Sequence, residues 1–162
     1  MDFSPANEAL ADRFSLRPLS EIVPGLWQGM RPKSYIGYDL VISCEQFLAK
    51  KPMENFMGVT IHCPLRDEDD FEIPAYGIWA AAVAAHHVLD QQRGEKVLIH
   101  CSGGLNRSSL VTVRILELLG YEAHEAVAII RRQHDDFALC NRAFERWALR
   151  EQLPTAETTT LR

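Results

Sequence analysis

The segment His100-Cys101-Ser102-Gly103-Gly104-Leu105-Asn106-Arg107-Ser108 sets a thiol and a guanidinium six positions apart, with two glycines between them. The apolar run KVLIH (96–100) precedes the thiol, and SSLVTVRILELLG (108–120) follows the guanidinium. The pattern predicts a buried strand, the short loop SGGLN and a helix. A helix N-terminus presents unpaired N–H groups and the positive end of its dipole. Gly103 and Gly104 permit backbone angles closed to other residues, so the loop can curl with its N–H groups inward as an anion cradle. Arg107 would close that cradle with a planar fork suited to two oxygens. Cys101 would lie at its base, where the same field favours a thiolate, a nucleophile at neutral pH. Ser108 can donate a hydrogen bond to the sulfur and help it leave. The implied chemistry is nucleophilic attack on a bound oxyanion such as a phosphoryl group. A lone cysteine reads better as buried packing and a lone arginine as surface charge; here the two arrive together in a strand–loop–helix setting.

Attack on phosphorus needs an acid to protonate the departing oxygen, and a positioned carboxyl group does that well. The stretch RDEDDFE (66–72) offers Asp67, Glu68, Asp69 and Asp70. Composition alone reads it as a solvated loop and does not choose among them.

Positioning these groups requires a packed domain. The chain has 162 residues, 47% hydrophobic and 24% charged, with a formal net charge of -5. That suits one soluble domain and disfavours nucleic acid or an anionic membrane as partner. The first residues, MDFSPANEAL, lack a signal core, and the longest apolar run, IWAAAVAA (78–85), is too short to span a bilayer. Cys44, Cys63, Cys101 and Cys140 form no Cys-x-x-Cys, so neither a metal site nor a disulfide framework is indicated, no cofactor is expected, and a reducing cytoplasm is the simplest setting. A short helix and connector are expected over 1–20, a strand or hairpin over 21–30, and strands over 38–44, 58–65 and 96–100. Between the second and third lies a short helix and turn, EQFLAKKPMENF. Helices are expected over 74–92, 108–120, 122–134 and 140–152. The fold class is therefore α/β: a central mixed, mostly parallel sheet with helices on both faces and the phosphate loop between a strand and a helix. The domain is expected to span 1–153, with its core over 21–150, and 154–162 to be a disordered tail. Trp27, Trp79 and Trp147 read as core or interface aromatics.

HCSGGLNRS resembles the His-Cys-x-x-Gly-x-x-Arg-Ser/Thr signature of the cysteine-dependent protein phosphatases, most closely the dual-specificity branch. The resemblance implies Cys101 as nucleophile and Arg107 as phosphate clamp. Ser102, Gly103, Gly104, Leu105, Asn106 and Arg107 would form the phosphate-binding loop. It implies that His100 orders the loop and tunes the thiol, although the residue alone reads equally as a core histidine. It selects Asp67 as the acid, because Pro64 lies three positions before it and Cys101 follows 34 positions later; Asp69 and Asp70 are the reserves. The order, acid before loop, disfavours the low-molecular-weight tyrosine phosphatases. Some family members pair a cysteine near Cys44 with the nucleophile in a reversible disulfide; the plain alternative is a buried Cys44. Arg131 fits a place where relatives hold a second phosphate, but His134 stands where many carry arginine, and Arg131 and Arg132 read as a solvated face. The implied substrate is a phosphoprotein or phosphopeptide, attacked without metal. Other readings are an RNA 5′-phosphatase, suggested by Asn106-Arg107, a phosphoinositide phosphatase, and a phosphate-binding pseudophosphatase that docks phosphoproteins.

Overall fold

The computed structural model describes residues 18–47, 55–69 and 72–150. The helix expected near the N-terminus, the middle of EQFLAKKPMENF, Asp70 and the 154–162 tail lie outside the described residues. Among the described residues five strands form one sheet: β1 Leu19–Val23, β2 Leu26–Met30, β3 Leu40–Ser43, β4 Val59–His62 and β5 Val97–Cys101. Their order is β1-β2-β5-β3-β4. β1 and β2 are an antiparallel hairpin, whereas β2 with β5, β5 with β3 and β3 with β4 pair in parallel. The described residues also form four helices: α1 Ala75–Asp90, α2 Arg107–Leu118, α3 Ala123–Gln133 and α4 Arg142–Arg150. The α/β class and the mixed, mostly parallel sheet are those expected.

Every residue of β5 is buried, as suits a central parallel strand covered on both sides. Its side chains alternate. Val97, Ile99 and Cys101 join Leu40, Ile42 and Cys44 in the main core, while Leu98 and Val41 face a smaller cluster with Tyr35, Trp27 and Phe56. The buried residues of all four helices belong to the main core, so the described helices share one face of the sheet. The other face carries, among the described residues, the aromatic cluster.

Helix α1 is alanine-rich and turns Ile78, Trp79, Ala81, Ala82 and Ala85 inward at helical spacing. Helix α2 is buried from Ser108 through Leu116, since α1, α3 and α4 surround it. One of those residues is Arg114, fully buried. Its guanidinium lies 5.1 Å from the Trp79 ring centroid and 4.4 Å from that of Trp147, pairs with Glu117, and donates to the Trp147 carbonyl at 3.1 Å. Two of the three tryptophans thus clamp a buried cation.

Candidate active site

Cys101 ends β5 and Arg107 begins α2, so residues 102–106 connect the carboxyl end of a central strand to a helix N-terminus. No side chain caps that helix: Asn106 occupies the N-cap position without making the cap bond. The Cys101 sulfur is buried, accepts the Gly104 N–H at 3.2 Å, and lies 3.5 Å from the Ser108 hydroxyl. Arg107 is half-buried, and its Nε, shielded from solvent, has no hydrogen-bond partner among the described residues. Its positive charge lowers the Cys44 thiol pKa, against the larger raising effect of burial.

The loop curls because of one glycine. Gly104 has φ +70°, and a Cβ there would stand 2.7 Å from the Gly29 carbonyl carbon and 2.9 Å from its Cα. The loop backbone therefore rests directly on β2. Gly103, expected to share that role, has open space for a Cβ and no left-handed φ.

A residue that sequence reasoning missed braces this contact. Gln28, fully buried on β2, donates through Nε2 to the Gly104 carbonyl at 2.9 Å and to the Ser109 hydroxyl at 2.8 Å. Ser109 in turn donates to the Leu105 carbonyl at 2.6 Å. A glutamine within a short strand carries no local signal; only the parallel pairing of β2 with β5 reveals its partner.

Of the described acidic side chains in 66–72, Asp67 is the one hydrogen-bonded to the loop. Its Oδ2 accepts from Asn106 Nδ2 at 3.0 Å and its Oδ1 from Asn141 Nδ2 at 3.0 Å. Glu68 pairs instead with Arg66 at 2.8 Å, and Asp69 is exposed.

His100 points to the opposite face from Cys101. It is fully buried, and its Nε2 lies 2.6 Å from the Tyr35 hydroxyl. The Arg31 guanidinium bears on the same phenol, lowering a Tyr35 pKa that burial raises. The other ring nitrogen, Nδ1, has no hydrogen-bond partner among the described residues. Burial, aided by the Arg31 charge, pushes His100 down to about 3. The ring therefore makes no hydrogen bond to the loop expected to depend on it; what reaches a neighbour is the His100 carbonyl, which accepts the Cys44 N–H at 2.8 Å.

Cys44 is fully buried and its thiol is pushed well above the ordinary range by burial. It hydrogen-bonds Cys63 and also feels Cys101, so it stands between two thiols rather than beside one; all four cysteines are free. The suggested second phosphate subsite is not assembled. Arg131 donates to the Ala138 carbonyl at 3.1 Å and to Glu145 at 2.6 Å, and His134 is buried against the Ser20 hydroxyl at 3.0 Å. Arg131 is accordingly a bracket between α3 and α4, not a solvated surface charge. Among the described residues no group of His, Cys, Asp or Glu could hold a metal ion, and no helix is long and apolar enough to cross a membrane.

No family model matches the chain, and no curated protein matches it. Solved structures do. Human DUSP28 is 18% identical over 91% of this chain and 94% of its own, with a TM-score of 0.68. The human tyrosine phosphatase-like serine/threonine/tyrosine-interacting protein is 21% identical over 82% and 94%, TM-score 0.61. OH1 of Orf virus, described as a tyrosine phosphatase with triple substrate specificity, is 17% identical over 90% and 96%, TM-score 0.59. The chain has the dual-specificity phosphatase fold.

Proposed function

We propose that the chain is a cysteine-dependent phosphatase that hydrolyses phosphate monoesters, phosphotyrosine in proteins first, with phosphoserine and phosphothreonine within its range. The observation that carries this reading is the Cys101 sulfur held by the Gly104 N–H at 3.2 Å in a loop that Arg107 enters with an unpartnered buried Nε. Those groups suit a thiolate nucleophile and a phosphoryl oxyanion. The breadth of substrate is supported by the shallow setting of Asp67, which is exposed, and by the shared fold with OH1, a phosphatase of triple specificity. A phosphoprotein or phosphopeptide is the substrate, and the cytoplasm the compartment, that this reading assigns.

In the first step the Cys101 thiolate attacks phosphorus in line, the P–O bond breaks, and Asp67 gives its proton to the leaving oxygen. In the second, Asp67 takes a proton from water, which attacks the cysteinyl-phosphate and expels the thiolate. Ser108, 3.5 Å from the sulfur, donates to it as it leaves. Arg107 and the loop N–H groups hold the charge of both transition states.

Hydrolysis of an aryl phosphate tests the reading. Cys101→Ser is expected to abolish turnover while still binding phosphate. Asp67→Asn is expected to lower kcat by about 10²–10⁴-fold, less for a very good leaving group. Full turnover by Cys101→Ser would overturn the mechanism, and a wild type that binds phosphopeptide without hydrolysing it would make the chain a docking module.

A further inference from the structure

We infer that Asn141, with Asn106, is a positioning residue that fixes the Asp67 carboxylate over the loop; this rests on Asp67 being the acid of the proposed phosphatase. Asp67 sits in an exposed connection with no helix or strand of its own. A carboxylate in such a loop would sample many orientations, and loss of alignment of the order of 1 Å costs about 10²-fold in rate. Two amides hold it. Asn106 donates to Oδ2 and Asn141 to Oδ1, both at 3.0 Å.

The orientation of each amide is dictated by its other end. Asn141 precedes α4, and its Oδ1 accepts the N–H groups of Ala143 at 3.0 Å and Phe144 at 3.3 Å. That is an N-cap, which a side-chain oxygen alone can make. With the oxygen committed to the helix, the NH2 faces Asp67. Asn106 Oδ1 accepts the Asn141 N–H at 3.0 Å and the Cys140 thiol at 3.5 Å, so its NH2 also faces Asp67. Asn106 thereby gives up the cap of its own helix α2, for which its residue type is well suited. The phosphate loop, the acid and the start of α4 are joined by four side-chain bonds through two asparagines.

In the reaction, both amides donate to the ionised carboxylate, the form that takes a proton from water. When Asp67 is protonated on one oxygen, the amide at that oxygen yields to the leaving group and the other keeps its grip. The carboxyl group then turns about one fixed bond instead of swinging free.

The cap and the grip can be separated. Serine and threonine both cap helices but lack the NH2. Asn141→Ser and Asn141→Thr are expected to keep the wild-type thermal midpoint and the KM for phenyl phosphate. They should lower kcat on phenyl phosphate, a poor leaving group, by 10-fold or more (about 10²-fold at most), with a smaller fall on p-nitrophenyl phosphate. In an Asp67→Asn background neither should cause further loss. A wild-type kcat on phenyl phosphate for both variants, or equal losses on the two substrates, overturns the positioning role while leaving Asp67 as acid. If instead Asp67→Asn itself proves silent, the acid assignment fails and the positioning role falls with it.

Discussion

His100 shows how a residue next to the proposed nucleophile can serve the fold. The ring is fully buried, lies against the Tyr35 hydroxyl and has its pKa pushed down to about 3. In the unfolded chain the same imidazole titrates near 6.5. Above that value both states are neutral and nothing is lost. Below it the unfolded state binds a proton that the folded state refuses, so stability falls as pH drops from 6.5 toward 3. Urea midpoints at pH 7 and pH 5 check this: the wild type should lose about 2 kcal/mol more than His100→Gln over that interval. Equal losses would mean the imidazole is charged in the native state. Cys101 and Arg107 were legible because their motif is contiguous. His100 was ambiguous because the residue that engages its ring, Tyr35, lies 65 positions away.

At the scale of elements, register lines up the thiols. Ser43 pairs with His100 on one side and His62 on the other, so the next residues, Cys101, Cys44 and Cys63, stand abreast at the carboxyl ends of β5, β3 and β4. All three belong to the main core. Neighbouring strands lie about 4.8 Å apart, inside the span of about 4.4–6.8 Å between Cα atoms that a disulfide bridges. Brief treatment with hydrogen peroxide followed by peptide mapping should find Cys44 linked to Cys101 and to Cys63. The first link forms as Cys44 displaces water from a Cys101 sulfenic acid. The second forms when Cys63 attacks Cys44 and releases Cys101 as thiolate. Cys63→Ser should leave the Cys44–Cys101 link alone; a Cys44 that stays a free thiol throughout would reduce the row to packing. The strands themselves were readable from their β-branched runs. Their order was not, since parallel neighbours come from distant stretches, and so Cys63 went unnoticed.

For the whole molecule, the described helical layer is held on one side of the sheet with a cation at its centre. Arg114 contacts Trp79 of α1 and Trp147 of α4 and pairs with Glu117 of its own helix. Arg114→Ala would leave two indoles facing a void and Glu117 without its counter-ion, and is expected to destabilise by about 3 kcal/mol. Arg114→Lys should recover little, because an ammonium cannot stack as a plane between two rings. Chemical denaturation of the two variants checks both; an unchanged midpoint for Arg114→Ala would remove the clamp. In VTVRILEL the arginine reads as a surface break in an apolar run, since its aromatic partners are contributed by other helices. Asp67 was singled out by the family resemblance, through Pro64 and the interval to Cys101, but Gln28 and Asn141, which lie 76 and 74 positions from the atoms they hold, left no trace in local pattern. The seat of Gly104 against Gly29 bears on engineering. A designer transplanting the nine residues from His100 to Ser108 onto a foreign strand and helix would carry the reactive groups without their support. The smallest portable piece is two strands wide: it must bring a neighbour lacking a side chain opposite the bend, and an amide beside it to tie the curve shut.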